Sequence, residues 1–578
     1  MKFLQVAQVF QDLEKEPSRT SMTKILAELL AQCSKTDAHI ISYLSQGSLF
    51  APYKNIQFHI AQKGMLGIIA DFADKPVAEI QKDFKELGDL GLVVQKNNCR
   101  IDQGLSVQQV YDLLLEIAQI SGAGSTEKRT ALLVKLLEQV DGLGAKFIVR
   151  IVTSTLRLGF SDMTFLDALS WMSVGDKSIS KDLEAAYNVC ADLGLVAYTL
   201  KDQGVAGIKS MSVTVGIPIR PAAAERLTSA QAIVERLGDC VAQPKLDGFR
   251  VQVHVKKTDS KTEVHFFSRN MLDMSDMFPD LKKVVSTLDV SSLICEGEAI
   301  VYDDQTQTFL PFQQTVKRKR KHDVEQMSIE MPLRLYLFDL LYLDGKSLLD
   351  QTHKSRREML QAIIGQDDSL QVVEEKQITT AKELEDYFLL NIDSGLEGLV
   401  VKREDAIYQP GKRNFNWIKM KREAHASLID TVDCVILGYY GGKGKRAQFG
   451  IGAFLVGIYD QEKDQFQTVA KVGTGLTDIE WKDLRSRCEA LKVSVQPKNV
   501  ECIKDLYPDV WVSPELVCTV KSDEITLSPL HSAGKVGDAP GFALRFPRFI
   551  SYRFDKSAHD STSIIELKHL FAQQNIKS

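Results

Sequence analysis

A lysine in a short turn is the residue of this chain best placed to do covalent chemistry. Lys245 lies in the stretch Gln243-Pro244-Lys245-Leu246-Asp247-Gly248-Phe249-Arg250, which brings an acid and an arginine close to its amine. A neutral lysine amine is a nucleophile, but its ordinary pKa of about 10.4 leaves roughly one molecule in a few thousand deprotonated at pH 7. That scarcity costs about 4 to 5 kcal/mol. Because burial and neighbouring cations lower a lysine pKa, a nucleophilic Lys245 requires more positive charge nearby.

The required positive charge is concentrated between residues 402 and 422. Seven basic residues stand there against the two acids Glu404 and Asp405, in a chain of net charge −5. The alternating stretch Asn416-Trp417-Ile418-Lys419-Met420-Lys421 predicts a β-strand with Lys419 and Lys421 on one face. Two interpretations are open, a solvated basic strand face and a site for a phosphorylated ligand.

Acidic residues lie on another predicted strand of the same region. Residues 294–302 alternate so that Glu296 and Glu298 project from the same side of a strand. Carboxylates on an otherwise apolar strand are costly to bury unless they meet a cation or a metal. Mg²⁺ is the natural candidate, because it prefers hard oxygen ligands and keeps most of its waters. Glu397 places a further acid beside the strand that carries Lys402.

An aromatic residue on a third strand is a candidate for contact with a base. The stretch from Leu335 to Leu343 is almost entirely apolar and predicts a buried core strand that closes on a turn at Gly345. Phe338 lies in the middle of it. An aromatic ring at this kind of position can stack on a nucleobase, so Phe338 is both a core residue and a candidate base platform.

Composition limits the class of protein. With 578 residues and 44% hydrophobic content, the chain is long enough for several domains, and its pI of 6.1 excludes a uniformly basic nucleic-acid coat. Nine cysteines are scattered without a CxxC pair, which predicts a reducing compartment and no structural zinc. No apolar run approaches the roughly 20 residues that a membrane span requires. A soluble, cytoplasmic protein without a membrane partner is expected.

The elements that must position these residues change in type along the chain. Helical spacing of apolar residues, with a helix expected to begin after Ser106, predicts an all-α domain over residues 1–206. Short strands and turns from about residue 207 predict an α+β domain over 207–422. Short strands with Gly-rich turns then predict a small β-barrel over 423–578, of the oligonucleotide-binding (OB) type, with a C-terminal helix.

The helical region contains a row of basic residues. Lys146, Arg150 and Arg157 are spaced by i, i+4 and i+11, which a helix places within a narrow sector, and Gly159 is expected to end that helix. Such a row is a sensible contact for a phosphate backbone, although a solvated face is the commoner use.

An ordered set of motifs resembles the ATP-dependent DNA ligases, a family within the covalent nucleotidyltransferases. The matching segments are Lys245-Leu246-Asp247-Gly248-Phe249-Arg250, Ser268-Arg269-Asn270, Glu296-Gly297-Glu298, Phe338-Asp339, Leu396-Glu397-Gly398, Trp417-Ile418-Lys419-Met420-Lys421 and the cluster from Arg545 to Lys556. A lone KxDG is a weak signal, but the ordered set is specific. The helical N-terminal domain is similar to that of archaeal and eukaryotic replicative ligases, and capping enzymes lack such a domain.

The resemblance implies a role for each matching residue. Lys245 is similar to the lysine that accepts AMP, Phe338 to the ring that stacks on adenine, and Glu298 to the acid that serves ribose or metal. Glu397 is similar to a metal-linked acid. The other implied nucleotide and active-site residues are Gln243, Asp247, Arg250, Arg269, Arg413, Lys419, Lys421, Arg553, Asp555 and Lys556.

The implied reaction uses ATP and Mg²⁺ or another divalent cation. A lysyl-AMP forms, AMP passes to a 5′-phosphate at a nick in duplex DNA, and the adjacent 3′-hydroxyl displaces AMP to seal the strand. Replication, repair and recombination are the implied processes, a monomer is expected, and a sliding clamp is a candidate partner. The basic helix and the barrel would clamp the duplex.

The chain departs from the family pattern at two places, and two alternative functions stay open. Gln243 stands where the family usually has Glu, which leaves the base preference open, and Pro221-Ala222-Ala223-Ala224 replaces Pro-Met-Leu-Ala. One alternative is an RNA ligase or capping-type guanylyltransferase. The other is a ligase-like protein that binds nicks without sealing them.

Overall fold

The computed structural model describes two compact units. One comprises residues 1–81 and 90–421, and the other comprises residues 82–89 and 422–578. The structure describes the whole chain except residues 157, 228, 304–307, 311–314, 316, 317, 319–323, 366, 395, 422–430, 443–445, 447, 448, 538, 577 and 578.

The first two hundred residues are helical, as predicted from their apolar spacing. Phe3, Val6, Phe10 and Leu13 are all buried along one side of the first helix, and Ser106 caps its helix through a capping box, as expected. The helices are α1 Phe3–Lys15, α2 Arg19–Gln32, α3 Lys35–Leu44, α4 Gln62–Ala73, α5 Val77–Leu87, α6 Leu90–Lys96, α7 Val107–Gln119, α8 Ser125–Leu137, α9 Gly142–Val152, α10 Asp162–Val174, α11 Ser180–Cys190 and α12 Leu193–Ser210.

Two sheets follow in the same unit. Their strands are β1 Ala223–Arg226, β2 Cys240–Pro244, β3 Phe249–Thr258, β4 Lys261–Ser268, β5 Ser292–Asp303, β6 Thr308–Phe309, β7 Leu333–Leu343, β8 Lys346–Ser347, β9 Leu370–Val372, β10 Lys376–Ile378, β11 Gly398–Lys402 and β12 Arg413–Lys421. The first sheet has the strand order β1-β12-β11-β2-β10, and the second has the order β4-β3-β5-β7-β8, with β6 on β5 and β9 on β7.

Helices cover these two sheets and give each its own core. One core contains Ile418 and Met420 from β12 with Ile233 and Leu384 from covering helices, and a larger core lies on the second sheet. The chain passes from the first sheet to the second between β2 and β3, so the turn at residues 245–248 connects the two. The helices of this part are α13 Ala230–Leu237, α14 Pro279–Ser286, α15 Val324–Glu330, α16 His353–Ile363 and α17 Ala381–Asp393.

The second unit is β-rich, with a sheet curled into a half-barrel as predicted for an OB-type domain. The strands of this unit are β13 Val432–Tyr440, β14 Ala453–Asp460, β15 Gln465–Val472, β16 Lys492–Val493, β17 Val500–Glu501, β18 Val510–Val512, β19 Val517–Lys521, β20 Glu524–Ser528, β21 Gly541–Arg545 and β22 Arg548–Tyr552, and the helices are α18 Asp478–Ala490 and α19 Ile564–Ile576. The eight strands of the curled sheet run β16-β18-β13-β14-β15-β17, with β19 on β13 and β22 on β19, and β20 pairs with β21 separately. Across the described residues, every helix is too short or too polar to cross a bilayer.

Candidate active site

Backbone pairing fixes Lys245 and Glu397 side by side. Lys245 directly follows β2, its N–H donates to Gly398 O at 2.8 Å, and the Glu397 N–H donates back to Lys245 O at 3.3 Å. Gly398 has φ of +140° and a built Cβ would come 2.2 Å from Met420 O, so β12 approaches β11 too closely here for any side chain. The sheet therefore presents the amine and the carboxylate at one end of the same strand pair.

Glu397 is shared between two lysines. Its Oε2 accepts from Lys245 Nζ and its Oε1 accepts from Lys421 Nζ, and the three side chains are 23 to 32% exposed. Burial acts to raise the pKa of Glu397, but Lys245 and Lys421 outweigh it and hold that pKa below the ordinary value. The carboxylate thus stays ionised and holds both amines at the site.

Three further cations, Lys419, Arg413 and Arg269, lie near this trio, and Lys419 shares a strand face with Lys421 as the sequence predicted. Ile418 and Met420 point into the core, so Lys419 and Lys421 occupy the opposite face of β12. Burial lowers the pKa of Lys419, and so do Lys421, Arg413, Arg269 and Lys245. An effect on Lys419 from every one of these groups means that they converge on one place.

The second sheet contributes Arg250 and two acids. Arg250 Nη2 donates to Glu296 Oε2 at 2.9 Å, and Nη1 donates to Ala222 O at 2.9 Å. Glu296 is 1% exposed and also accepts from Tyr408 Oη at 2.8 Å. This buried carboxylate is therefore satisfied by a cation and a hydroxyl, one of the two solutions expected from the sequence.

Glu298 closes the turn that carries Lys245. Its Oε1 accepts from the Gly248 N–H at 3.1 Å, where a Cβ on Gly248 would lie 2.4 Å from Ala299 O. Burial raises the pKa of Glu298 to about 7, against the opposing effects of Lys245 and Arg250. The exposed Asp247 lies in the same turn and adds to the rise.

Phe338 is half-buried beside the same cations. Its ring meets Trp417 edge to face, with centroids 6.1 Å apart. The Arg250 guanidinium lies 5.5 Å and Lys402 Nζ 5.0 Å from the ring centroid. Lys402 is 1% exposed and donates to Phe338 O at 3.0 Å, and burial lowers the pKa of Lys402 to about 8. Trp417 and two cations therefore hold the ring in place, and part of its surface stays exposed.

Gln243 joins a buried network that sequence reasoning missed. Gln243 is 2% exposed, and its Nε2 donates to Glu375 Oε2 at 2.7 Å. Glu375 also meets His353 Nε2 at 2.9 Å and Arg357 Nε at 3.2 Å. The pKa of Glu375, which burial acts to raise, is held below its ordinary value mainly by His353. Glu375 follows a loop with no local pattern, so no sequence signal connected it to Gln243.

The site therefore combines a lysine amine, converging cations and a half-open aromatic ring between two sheets. Sequence profiles of three domains match the chain in order: "DNA ligase N terminus" over residues 2–170, "ATP dependent DNA ligase domain" over 221–421, and "ATP dependent DNA ligase C terminal region" over 447–556. A probable DNA ligase of Dictyoglomus turgidum is 42% identical, over 99% of this chain and 98% of its own length. The chain belongs to the ATP-dependent DNA ligase family.

Other relatives agree with this membership of the ligase family. A DNA ligase of Sulfolobus acidocaldarius is 35% identical, over 99% of this chain and 98% of its own length. The solved structure named Pmar-Lig_Pre is 17% identical, with a TM-score of 0.58 over 95% of this chain and 99% of that chain, and shows the same fold. The full-length match confirms the prediction of a DNA ligase over that of a capping enzyme.

The ligase motif near the C-terminus lies in the second unit. Arg553 donates to Asp433 Oδ2 at 2.7 Å and forms a two-point ion pair with Asp555. Lys556 Nζ donates to the same Asp433 oxygen at 2.8 Å. The hydrogen bond from Arg553 lowers the pKa of Asp555 to about 2. Sequence reasoning missed Asp433, for which the available signal was an acid near the start of an apolar strand.

The basic row of the helical domain differs from its prediction. Helix α9 ends at Val152, because Thr153 and Ser154 leave helical geometry and Ser154 has φ of +52°. The predicted helix through residue 157 is therefore wrong, and Arg157 itself lies outside the described residues.

The two remaining members of this row are buried. Lys146 and Arg150 are 5% and 8% exposed, and both donate to the carboxylate of Glu14 on α1. Lys146 Nζ and Glu14 Oε2 are 2.5 Å apart. The expectation of a free basic face fails at these positions, because α1 covers it and supplies the counter-charge.

Proposed function

We propose that Lys245 is the nucleophile of this ligase and attacks the α-phosphate of ATP. The Nζ–P bond forms as the bond from the α-phosphorus to the bridging oxygen breaks, pyrophosphate leaves, and the amine loses a proton. Charge accumulates on phosphate oxygens in this step, and fixed cations that meet it there lower the barrier. Lys245 and Lys421 share the carboxylate of Glu397, and Arg269, Arg413 and Lys419 lie close enough to act on one another's charge; this clustering of cations is the observation that carries the proposal.

The other residues of the site position the nucleotide. Phe338 offers a partly exposed ring for adenine, and contacts with Lys402 and Trp417 hold that ring in place. Gln243 lies on β2 two residues before Lys245, its amide nitrogen donates to Glu375, and it is assigned to the adenine base. Glu298, with its raised pKa, serves the ribose or the metal.

The residues present fit a divalent cation of the Mg²⁺ type. Among the described residues no three His, Cys, Asp or Glu side chains gather as a closed metal cage. Mg²⁺ suits such a site, because it binds through one or two carboxylates together with substrate phosphates and keeps its waters. Glu397 and Glu298 would hold it, and when bound it would neutralise phosphate charge. Glu397 is ionised and half-exposed, as such a ligand must be.

The proposal also covers the cellular processes, the oligomeric state, the location and the domain boundaries of the protein. We propose roles in DNA replication, repair and recombination, a monomer acting in the cytoplasm, and domains divided at residues 206 and 422. Arg553, Asp555 and Lys556 are assigned to the pyrophosphate leaving group. A sliding clamp remains a candidate partner. A DNA-contact role for Lys146 and Arg150 is not part of the proposal, since Glu14 already occupies them.

Mass spectrometry tests the central assignment. The full-length protein, incubated with ATP and MgCl₂, should gain one adenylyl group, and peptide mapping should place it on Lys245. The Lys245→Ala variant should gain none and should fail to seal a nicked duplex. Labelling by GTP in place of ATP, or an equal sealing rate in the two proteins, would overturn the assignment.

A further inference from the structure

The end of α11 in the helical domain touches the segment that leads into the nucleotide site. Asn188 is 4% exposed, and its carbonyl accepts from the Arg220 N–H at 2.9 Å. Its side-chain Oδ1 accepts from Arg220 Nη1 at 3.1 Å. The Arg220 guanidinium lies 4.7 Å from the centroid of the Tyr187 ring. Arg220 is thus held at its backbone, its charge and its planar face by two consecutive residues of one helix.

The same Asn188 side chain packs against the loop before β12. The Gly411 N–H donates to Arg220 O at 2.9 Å. Gly411 has φ of +68°, and a built Cβ would lie 2.2 Å from Asn188 Oδ1 and 2.7 Å from its Cγ. A residue other than glycine would be strained here and would also collide with Asn188. Asn188, Arg220 and Gly411 form one close-packed group, which we name the interdomain clasp.

The clasp lies directly before a cation of the active site. Lys412 O accepts from the Ala223 N–H at 3.0 Å, and β1 pairs with β12 so that Ala223 stands opposite Arg413. Arg413 is two residues beyond Gly411 and acts on Lys419. On the other side of the clasp, Ala222 O accepts from Arg250 Nη1. Both chain segments that leave the clasp therefore reach residues of the nucleotide site within two positions.

We propose that Asn188, a residue of the helical domain, is a positioning residue for Arg413 in the formation of lysyl-AMP. It acts through Arg220 and Gly411, which fix where β12 begins and hence where the Arg413 side chain starts. This inference rests on the proposed function, since it concerns the same first step. It adds that the position of Arg413 in the nucleotidyltransferase domain also depends on a residue of the helical domain.

The proposal has a physical reason in the length of the arginine side chain. An exposed arginine has many rotamers, and it meets a developing charge only when its backbone is fixed and few rotamers reach the ligand. A loosened Gly411 loop allows Arg413 to move away while the rest of the strand stays paired to β11. The expected deficit is therefore kinetic and confined to the step that uses Arg413.

The experiment measures single-turnover lysyl-AMP formation across a range of ATP concentrations in the full-length protein. Asn188→Ala removes the acceptor for Arg220 Nη1 and should slow the step about tenfold. Asn188→Asp keeps an oxygen of the same reach and should restore most of the rate. Gly411→Ala disturbs the clasp from its other side and should match or exceed the loss in Asn188→Ala.

A double-mutant cycle separates positioning from general damage. In an Arg413→Ala background, Asn188→Ala should cause no further loss, because the residue through which it acts is gone. Equal losses in both backgrounds would overturn the proposal. The matched control is Asn98→Ala, a buried helical-domain asparagine that donates to Val140 O at 3.1 Å. It should lower the melting temperature comparably and leave lysyl-AMP formation unchanged.

Failure of this inference is distinguishable from failure of the proposed function. A parent protein that never gains AMP contradicts the proposed function. A parent that gains AMP on Lys245, with an Asn188→Ala variant that does so at the same rate, contradicts only the clasp. A slowed Asn98→Ala variant would also contradict it, because any loss of helical-domain stability would then suffice.

Discussion

Two pairs of basic residues in this ligase share a sequence signature and differ in use. Lys146 and Arg150 are spaced by the period of a helix, and Lys419 and Lys421 by the period of a strand. On α9 the two cations share the carboxylate of Glu14 and are at most 8% exposed. On β12 the pair lies among further cations and remains half-exposed. Periodicity therefore identifies a face but does not say what covers it.

An aromatic ring lies beside two cations in each of these regions, and the two rings differ in exposure. Phe147 lies 4.8 Å from Lys146 Nζ and 5.8 Å from the Arg150 guanidinium, and it is fully buried against Phe10. Phe338 lies at similar distances from Arg250 and Lys402 but keeps part of its surface open. Charge balance and exposure together distinguish a structural cation pair from one available to a ligand. Glu14 pairs with both α9 cations, whereas Glu397 pairs with Lys421 on β12 and, within the part of the chain that the structure describes, no carboxylate contacts Lys419.

The largest effect is expected from substituting Lys419, and it should appear in the rate of lysyl-AMP formation. Lys419→Ala should slow lysyl-AMP formation by roughly 100- to 1,000-fold, because a fixed cation that meets developing phosphate charge contributes that much. The measurement is single-turnover incorporation of AMP with saturating ATP. Thermal unfolding should change little, since Lys419 is a partly exposed residue on a paired strand. Normal AMP incorporation in this variant would show that Lys419 does not act in the site. The β12 pair would then be structural, as the α9 pair is.

The α9 pair should show the reverse pattern. Glu14→Gln removes the carboxylate that these two buried cations share and should lower the free energy of unfolding by about 3 kcal/mol. Denaturant titration measures this loss. AMP incorporation in the folded protein should match the parent.

A companion variant tests whether the pair binds phosphate. Arg150→Met should leave the salt dependence of nick binding unchanged, whereas a phosphate contact would reduce its slope by about one. A reduced slope would show that Arg150 exchanges Glu14 for DNA.

The sequence predicted the residues around Lys245 more accurately than it predicted which face of α9 is exposed, and the reason is physical. The residues around Lys245 come from strands and tight turns, where side-chain direction alternates and register is set by pairing. The motif order therefore predicted which side chains would meet. The exposure of α9 depends on α1, more than a hundred residues earlier, and no local pattern encodes that contact. Glu375, Asp433 and Asn188 were missed for the same reason.

The secondary structure was likewise predicted correctly where a local sequence pattern determines it, and less well elsewhere. Apolar spacing and the cap at Ser106 predicted the helical first third, and alternation predicted β3, β5 and β12. The predicted end of α9 at Gly159 is wrong, because Thr153 and Ser154 leave helical geometry first. Short polar residues that bond to their own backbone end helices without glycine.

A smaller effect is expected at the two aromatic rings. Phe338→Ala should weaken ATP binding about tenfold, because stacking on a base is worth roughly 1 to 3 kcal/mol, and should leave binding of nicked DNA unchanged. Phe147→Ala is the matched control, and it should cost about 3 to 5 kcal/mol of stability with no change in ATP affinity. Isothermal titration with ATP in a Lys245→Ala background measures the affinity. A larger loss for DNA than for ATP would contradict the adenine role.

The smallest expected effect is a shift in pH dependence. Burial and the neighbouring Lys421, Arg413 and Arg269 lower the pKa of Lys419, so this side chain loses its charge at a lower pH than an ordinary lysine. The rate of AMP incorporation should therefore fall on the alkaline side. Lys419→Arg keeps a charge throughout, since a guanidinium has a pKa above about 12. The alkaline limb should move to higher pH while the acid limb, which reports groups that must lose protons, stays in place. As a control, Lys146→Arg on α9 should leave both limbs of the pH profile unchanged. If the parent and the Lys419→Arg protein have the same alkaline limb, a group other than Lys419 controls that limb.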